Sequence, residues 1–181
     1  QGVTISGLGE DRLVAQLTVG LPLTSSVVLG PGDDCAVMRP PTGKGHYQLL
    51  KTDVVVEGVH FLATSRPEAV GWKAAARAVS DMAAMGGWPT HAVVTVVAPG
   101  RTPVSWLRGV YRGLVRCARA FDFSVVGGET SGAPDGSPVV LNVSLLGEVA
   151  ARGWVSRSGA RPGQAILVTG RLGGSLKSGR H

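Results

Sequence analysis

The chain has 181 residues, 44% of them hydrophobic and only 17% charged, which is enough apolar side chain to bury one ordinary core and excludes a disordered polymer. Its 27 glycines and 11 prolines follow no Gly-X-Y period, so they mark turns rather than a collagen-like segment. The net charge of +6 points to an anionic partner, but the arginines are scattered and only three Phe and two Tyr are available for base stacking, so no nucleic-acid partner is expected.

In chain order, Glu10 to Val19 places Leu13, Val14 and Leu17 on one side of a short amphipathic helix that Gly20 and Pro22 end. Ser26 to Leu29 reads as a strand stopping at Gly30-Pro31-Gly32, Ala36 to Met38 resumes it, and Pro40-Pro41-Thr42-Gly43 makes a turn. Tyr47 to Val56 is a longer strand, interrupted by the polar Lys51-Thr52-Asp53. Glu68 to Met85, entered through Pro67, is an alanine-rich helix with Ala75, Val79, Met82 and Ala83 at helical spacing. Strand Ala92 to Ala98, helix Val104 to Phe121 and strand Phe123 to Val126 follow, then the glycine pair Gly127-Gly128. Val139 to Val149 alternates and Ala165 to Thr169 is a further apolar run. This β-β-α-β-α-β-β order predicts an α+β (mixed α/β) fold, a mainly antiparallel sheet with helices packed on one face. Residues 1–150 form the expected domain; 151–181, ending in the glycine-rich Gly170 to His181, is the expected linker and start of a further domain.

Cys35 and Cys117 stand far apart with no CxxC or Cys/His spacing, which implies neither a disulfide framework nor a zinc site and fits reduced thiols in a cytoplasm. Gln1-Gly2-Val3-Thr4 does not start a signal peptide, and no apolar run is long enough to span a membrane.

The few acids gather at predicted strand ends and loops: Asp33, Asp34, Asp53, Glu57 and Glu129. Carboxylates converging there suit magnesium, which is commonly held by one or two of them plus substrate phosphates; alternatively Asp33 and Asp34 build a turn and Asp53 ends a strand. Asp81 lies four residues after Arg77 and eight after Lys73 on one helix face, where an ion pair to Arg77 is the default. Bracketed by Val79, Met82 and Ala83, its carboxylate needs a cationic side chain or a metal. His60, between Val59 and Phe61, reads first as a structural histidine. Gly127-Gly128-Glu129-Thr130 could bring backbone amides to a phosphate, while GxxxxGK[ST] is missing.

Taken together, Gly9-Glu10, Gly32-Asp33-Asp34-Cys35-Ala36, Thr52 to Phe61, Ser80 to Gly86, Gly127 to Thr130 and Arg157 to Gly163 stand in the order found in thiamine-monophosphate kinase. The chain resembles the N-terminal domain of that family, which belongs with aminoimidazole ribonucleotide synthetase, selenophosphate synthetase and a hydrogenase maturation factor. The resemblance implies transfer of the γ-phosphoryl group of ATP to thiamine monophosphate, giving thiamine diphosphate without a phosphoenzyme. It implies several Mg2+ ions on Asp34, Thr52, Asp53, Asp81 and Glu129, ATP against Tyr111, Gly128, Glu129 and Arg157, and the thiamine substrate at His60. No side chain acts as a catalytic nucleophile or base in this scheme. It also implies a homodimer in which the sheets meet in a barrel-like core, with Val93, Val94, Val96 and Val143 as candidate contacts.

Two positions depart from the family pattern. Glu129 stands where many members have Asp, and Lys51 precedes Thr52-Asp53 where a hydroxyl residue often adds a ligand; an ammonium cannot coordinate a cation. One magnesium fewer, or a phosphate counter-charge at Lys51, is expected. The alternatives are a related ATP-using enzyme with another substrate and a non-catalytic nucleotide-binding dimerisation module.

Overall fold

A computed structural model describes residues 5–41, 45–168 and 170. Helices α1 (Ile5–Leu8) and α2 (Glu10–Thr18) lead into β1 (Val27–Leu29), β2 (Ala36–Met38) and β3 (His46–Val56). Then come α3 (Pro67–Ala84), β4 (Trp88–Pro99), α4 (Val104–Ala120), β5 (Ser124–Ala133), β6 (Val140–Ala150) and one turn of 3-10 helix at Arg157–Gly159. The six strands form one sheet in the order β1-β2-β3-β6-β4-β5, antiparallel throughout except for the parallel pair β4–β5, which α4 connects.

Alternation decides which way the sheet faces. On β6, Leu141, Val143, Leu145 and Val149 are buried while Asn142, Ser144 and Leu146 between them are half-buried; on β4, Ala92, Val94 and Val96 are buried and Val93 is exposed. The buried set meets α3, which packs on β3, β4 and β6, with α4 packed behind α3. The opposite face is not covered by any helix among the described residues, and Leu50, Val54 and Val93 are exposed on it. This parity corrects three candidate dimer contacts: Val94, Val96 and Val143, at most 2% exposed, belong to the sheet–helix core, and only Val93 lies on the open face.

The two long helices approach closely because their contact is made of glycine. A Cβ on Gly71 would fall 1.9 Å from the carbonyl oxygen of Val110, and one on Gly113 would fall 2.0 Å from that of Glu68. No side chain fits at either crossing point.

Two predicted elements differ from the structure. The strand predicted to end at Val126 continues to Ala133 as β5, carrying Gly127-Gly128-Glu129-Thr130 within it rather than after it. Parallel pairing to β4 from His91 to Pro99 supplies backbone partners that need no apolar side chains. Conversely, Ala165 to Val168 forms no strand; Ile166 is 95% and Leu167 90% exposed, and this apolar run has no pairing partner among the described residues. Thr169 and the Arg171 to His181 stretch, with Thr42 and Gly43 of the predicted turn, lie outside the described residues.

Candidate functional site

β2 pairs only with Gln48, Leu49 and Leu50 of β3, so from Lys51 onward β3 has β6 on one side and, among the described residues, no strand on the other. α3 runs beside this free edge, and the space between them is an open cleft of about 800 Å³. The side chains of α3 that line it repeat every four residues, Trp72-Lys73, Ala76-Arg77 and Ser80-Asp81. The chain returns to the cleft twice more, at Asp34 in the loop before β2 and at Arg157 after β6.

Strand parity sorts the polar triplet of β3. Lys51 and Asp53 share the face of buried Leu49 and Val55 and point toward α3, while Thr52 points to the open face. There the Thr52 hydroxyl donates to Asn142 Oδ1 at 2.9 Å and lies 3.0 Å from Ser144 Oγ. On the helix side, Arg77 donates from Nε and a terminal nitrogen to Asp53 Oδ1 at 3.2 and 3.1 Å, and the Lys51 ammonium pairs with Asp81. The default pairing of Asp81 with Arg77 within α3 is therefore not the one formed. A basic residue four positions before an acid is the weaker helical arrangement, and the edge of β3 offers each a partner across the cleft.

Arg157 closes the third pair, with Nε donating to Asp34 Oδ1 at 3.0 Å and a terminal nitrogen donating to the same oxygen at 2.5 Å. The Asp34 carboxylate raises the pKa of Arg157 above its ordinary value, through these hydrogen bonds and its charge. Asp33 acts as a local anchor instead, accepting the backbone N–H groups of Asp34 at 2.9 Å and Arg157 at 3.1 Å. Behind the loop, Cys35 is buried against Met82 and Met85, its N–H directed at Met85 Sδ at 3.0 Å. Burial pushes the Cys35 thiol up to about 12, which makes it inert packing rather than a nucleophile.

The remaining sequence-predicted residues lie elsewhere. The His60 ring is half-buried and its Nδ1 accepts the Val56 N–H at 3.1 Å, while its carbonyl accepts Lys73 Nζ at 2.5 Å; the turn after β3 is thus tied to the cleft wall. Glu129 is level with Thr95, Asn142 and Val54 across the sheet, three strand spacings or about 14 Å from β3. It sits on the open face, away from Asp53 and Asp81. Gly128 packs so tightly on β4 that a Cβ would fall 1.9 Å from the Val94 carbonyl oxygen. Tyr111 is on the outer face of α4 among Arg108, Arg112, Arg116 and Arg119. Lys73, Arg77, Ser80 and Asn142 were not foreseen as part of a site; the signal for Asn142 was its place between buried Leu141 and Val143 on an alternating strand.

The chemistry of the cleft oxygens, three carboxylates with the Thr52 and Ser80 hydroxyls and the Asn142 amide, suits a hard divalent cation. No three His, Cys, Asp or Glu side chains form a ready metal cage among the described residues. Magnesium does not require one, because it is held by one or two carboxylates and completed by water and ligand phosphates. Asp34, Asp53 and Asp81 fit that role.

Residues 32–149, which hold all these groups except Arg157, match the family described as AIR synthase related protein, N-terminal domain. The chain belongs to this family. Over 94% of its length it is 37% identical to the thiamine-monophosphate kinase of Synechococcus elongatus, and over 93% it is 40% identical to that of Aquifex aeolicus. It spans about half the length of these relatives, 49% and 51% respectively. Among solved structures, that of AaThiL complexed with AMPPCP and TMP superposes with a TM-score of 0.76 at 35% identity, over 88% of this chain and 48% of that one. The AIR synthase related fold thus accounts for the sheet, the two long helices and the loop carrying Asp34.

Proposed function

We propose that this chain is the N-terminal half of a thiamine-monophosphate kinase, using ATP to convert thiamine monophosphate to thiamine diphosphate in the cytoplasm. The observation that carries this reading is the convergence of Asp34, Asp53 and Asp81, from three of the motifs shared with that family, on one cleft at the free edge of β3. Residues 151–181 then lead into the second half, and Arg157 ties their beginning back to the cleft through Asp34.

In this reading a phosphate oxygen of thiamine monophosphate attacks the γ-phosphorus of ATP, the bond to the β-phosphate breaks, and ADP leaves. Little covalent chemistry falls to the protein, which has to position two polyanions and neutralise their charge. Lys51, Lys73, Arg77 and Arg157 supply the positive wall against which phosphates rest. Asp34, Asp53 and Asp81 would hold Mg2+, which when bound would supply the remaining charge neutralisation. Thr52 orients through Asn142 and Ser144 on the open face. His60 meets the thiamine substrate from the turn after β3.

Glu129 and Gly128 lie too far from this cleft to serve it within one protomer, so they serve the site of a second copy in a homodimer formed through the open sheet face; Tyr111, on the outer face of α4 at the other side of the sheet, is turned away from that interface and is left out of the proposed site. The test is calorimetric titration of the chain with AMPPCP, with and without Mg2+. Binding that Mg2+ strengthens at least about tenfold is the expected result, and thiamine monophosphate should then bind in preference to aminoimidazole ribonucleotide precursors. Tighter binding of the latter would assign the cleft to a related enzyme of other substrate.

A further inference from the structure

Each carboxylate of the cleft already holds a cation of the chain itself: Asp34 holds Arg157, Asp53 holds Arg77 and Asp81 holds Lys51. Lys73 lines the same cleft and is bonded only to the neutral His60 carbonyl among its described contacts. Among the lining residues four cations therefore face three carboxylates, with the Asp33 carboxylate beside them on the Arg157 N–H. Each pair occupies one oxygen, Oδ1 of Asp34 and Asp53 and Oδ2 of Asp81, so a divalent cation arriving alone meets at most one unoccupied oxygen per carboxylate and is repelled by the ammonium or guanidinium already on the other. A phosphate chain meets the opposite situation, since the same donors can turn to its oxygens.

We propose that the cleft is closed by its own counter-ions and opened by phosphate, with Lys51 as the positioning residue that couples the two ligands. Its Nζ sits on Asp81, and both side chains are about three-quarters shielded from water, at 22% and 26% exposure, so the pair is less screened than a surface one. The ammonium is a compact charge on a flexible stem, able to move from Asp81 to a phosphate oxygen without moving β3. When it does so, Asp81 becomes available to a metal. By linkage, the metal strengthens phosphate binding as much as phosphate strengthens metal binding. This inference rests on the reading of the cleft as a phosphate and Mg2+ site and adds the order in which its charges are exchanged.

The test measures the two ligands separately. Tripolyphosphate is titrated calorimetrically into the 181-residue chain in EDTA, and Mn2+ binding is followed by electron paramagnetic resonance without phosphate. The wild-type chain should bind tripolyphosphate without metal. Lys51→Met, which keeps the stem and removes the charge, should weaken that binding about fivefold and tighten Mn2+ about fivefold. Asp81→Asn should move both in the opposite directions. Damage to the fold would weaken both ligands together, so a parallel loss in Lys51→Met, or no change in either, overturns the proposal. If the wild-type chain ignores tripolyphosphate in EDTA yet binds AMPPCP with Mg2+, the coupling is wrong while the kinase reading stands. Opposed shifts without binding of AMPPCP or thiamine monophosphate would instead retain the coupling and reject the substrates.

Discussion

Asp53 has two tasks at one carboxylate: it accepts Arg77 across the cleft in the structure, and in the proposed enzyme it holds Mg2+. Asp53→Asn removes a negative ligand and almost no volume, so the Mg2+-dependent affinity for AMPPCP should fall at least about tenfold while the urea midpoint stays near that of wild type. Unchanged affinity in that titration would remove Asp53 from the metal set. Cys117 gives a prediction of another kind, because burial raises its thiol to about 11 and that of Cys35 to about 12, against an ordinary value of 9.0. A folded-state pKa above the unfolded one means that the contribution is complete below pH 9.0 and is lost as the pH rises toward 11–12. Urea midpoints should be level from neutral pH to about 8.5 and fall beyond it, with a shallower fall in Cys117→Ala. An identical alkaline slope in that variant would refute the assignment. At this scale the sequence showed which residue types carry chemistry, but not their pairing. Spacing along α3 offered Arg77 to Asp81, and only the placement of β3 beside the helix sends Arg77 to Asp53 and Lys51 to Asp81.

The elements show the same division. Both long helices were legible because apolar residues recur at helical spacing and the ends carry Pro67 and Gly86-Gly87. Their closeness was not legible, since a glycine in a helix does not announce what lies against it. Gly113→Ala should cost about 2–3 kcal/mol in urea unfolding, because its new methyl would enter the Glu68 carbonyl at 2.0 Å. Gly132→Ala, with nothing within 4 Å, should stay within about 0.5 kcal/mol of wild type. Equal stabilities for the two variants would mean that the helices can separate at no cost. β5 was cut short in the reading of the sequence because Gly127 to Gly132 has no apolar side chain to alternate; its strand character comes from the backbone of β4. Ala165 to Val168 failed in the reverse sense, having strand composition and no strand partner among the described residues.

For the whole molecule, the open sheet face is the surface through which the proposed dimer would form. Leu50, Val54 and Val93 lie exposed on it beside the polar row of Thr52, Asn142 and Ser144. If that face joins a second copy, Val93→Glu should convert a dimer to a monomer in sedimentation equilibrium, whereas a monomeric wild-type chain would refute this interface and with it the role given to Glu129.

The sequence by itself determined the class of fold, the long helices, most of the strands and the loop carrying Asp33 and Asp34, because periodicity and turn chemistry act over a few neighbouring residues; Asp53 and Glu129, expected at strand ends or in loops, stand inside β3 and β5. Its six ordered motifs also carried the family. Tertiary structure alone decided which valines are core and which are surface, and that Glu129 stands apart from Asp53. It also decided that every cleft carboxylate begins with a cation of the chain itself. Those outcomes depend on strand order and register, which bring together residues as distant as Asp34 and Arg157, and no local pattern encodes them.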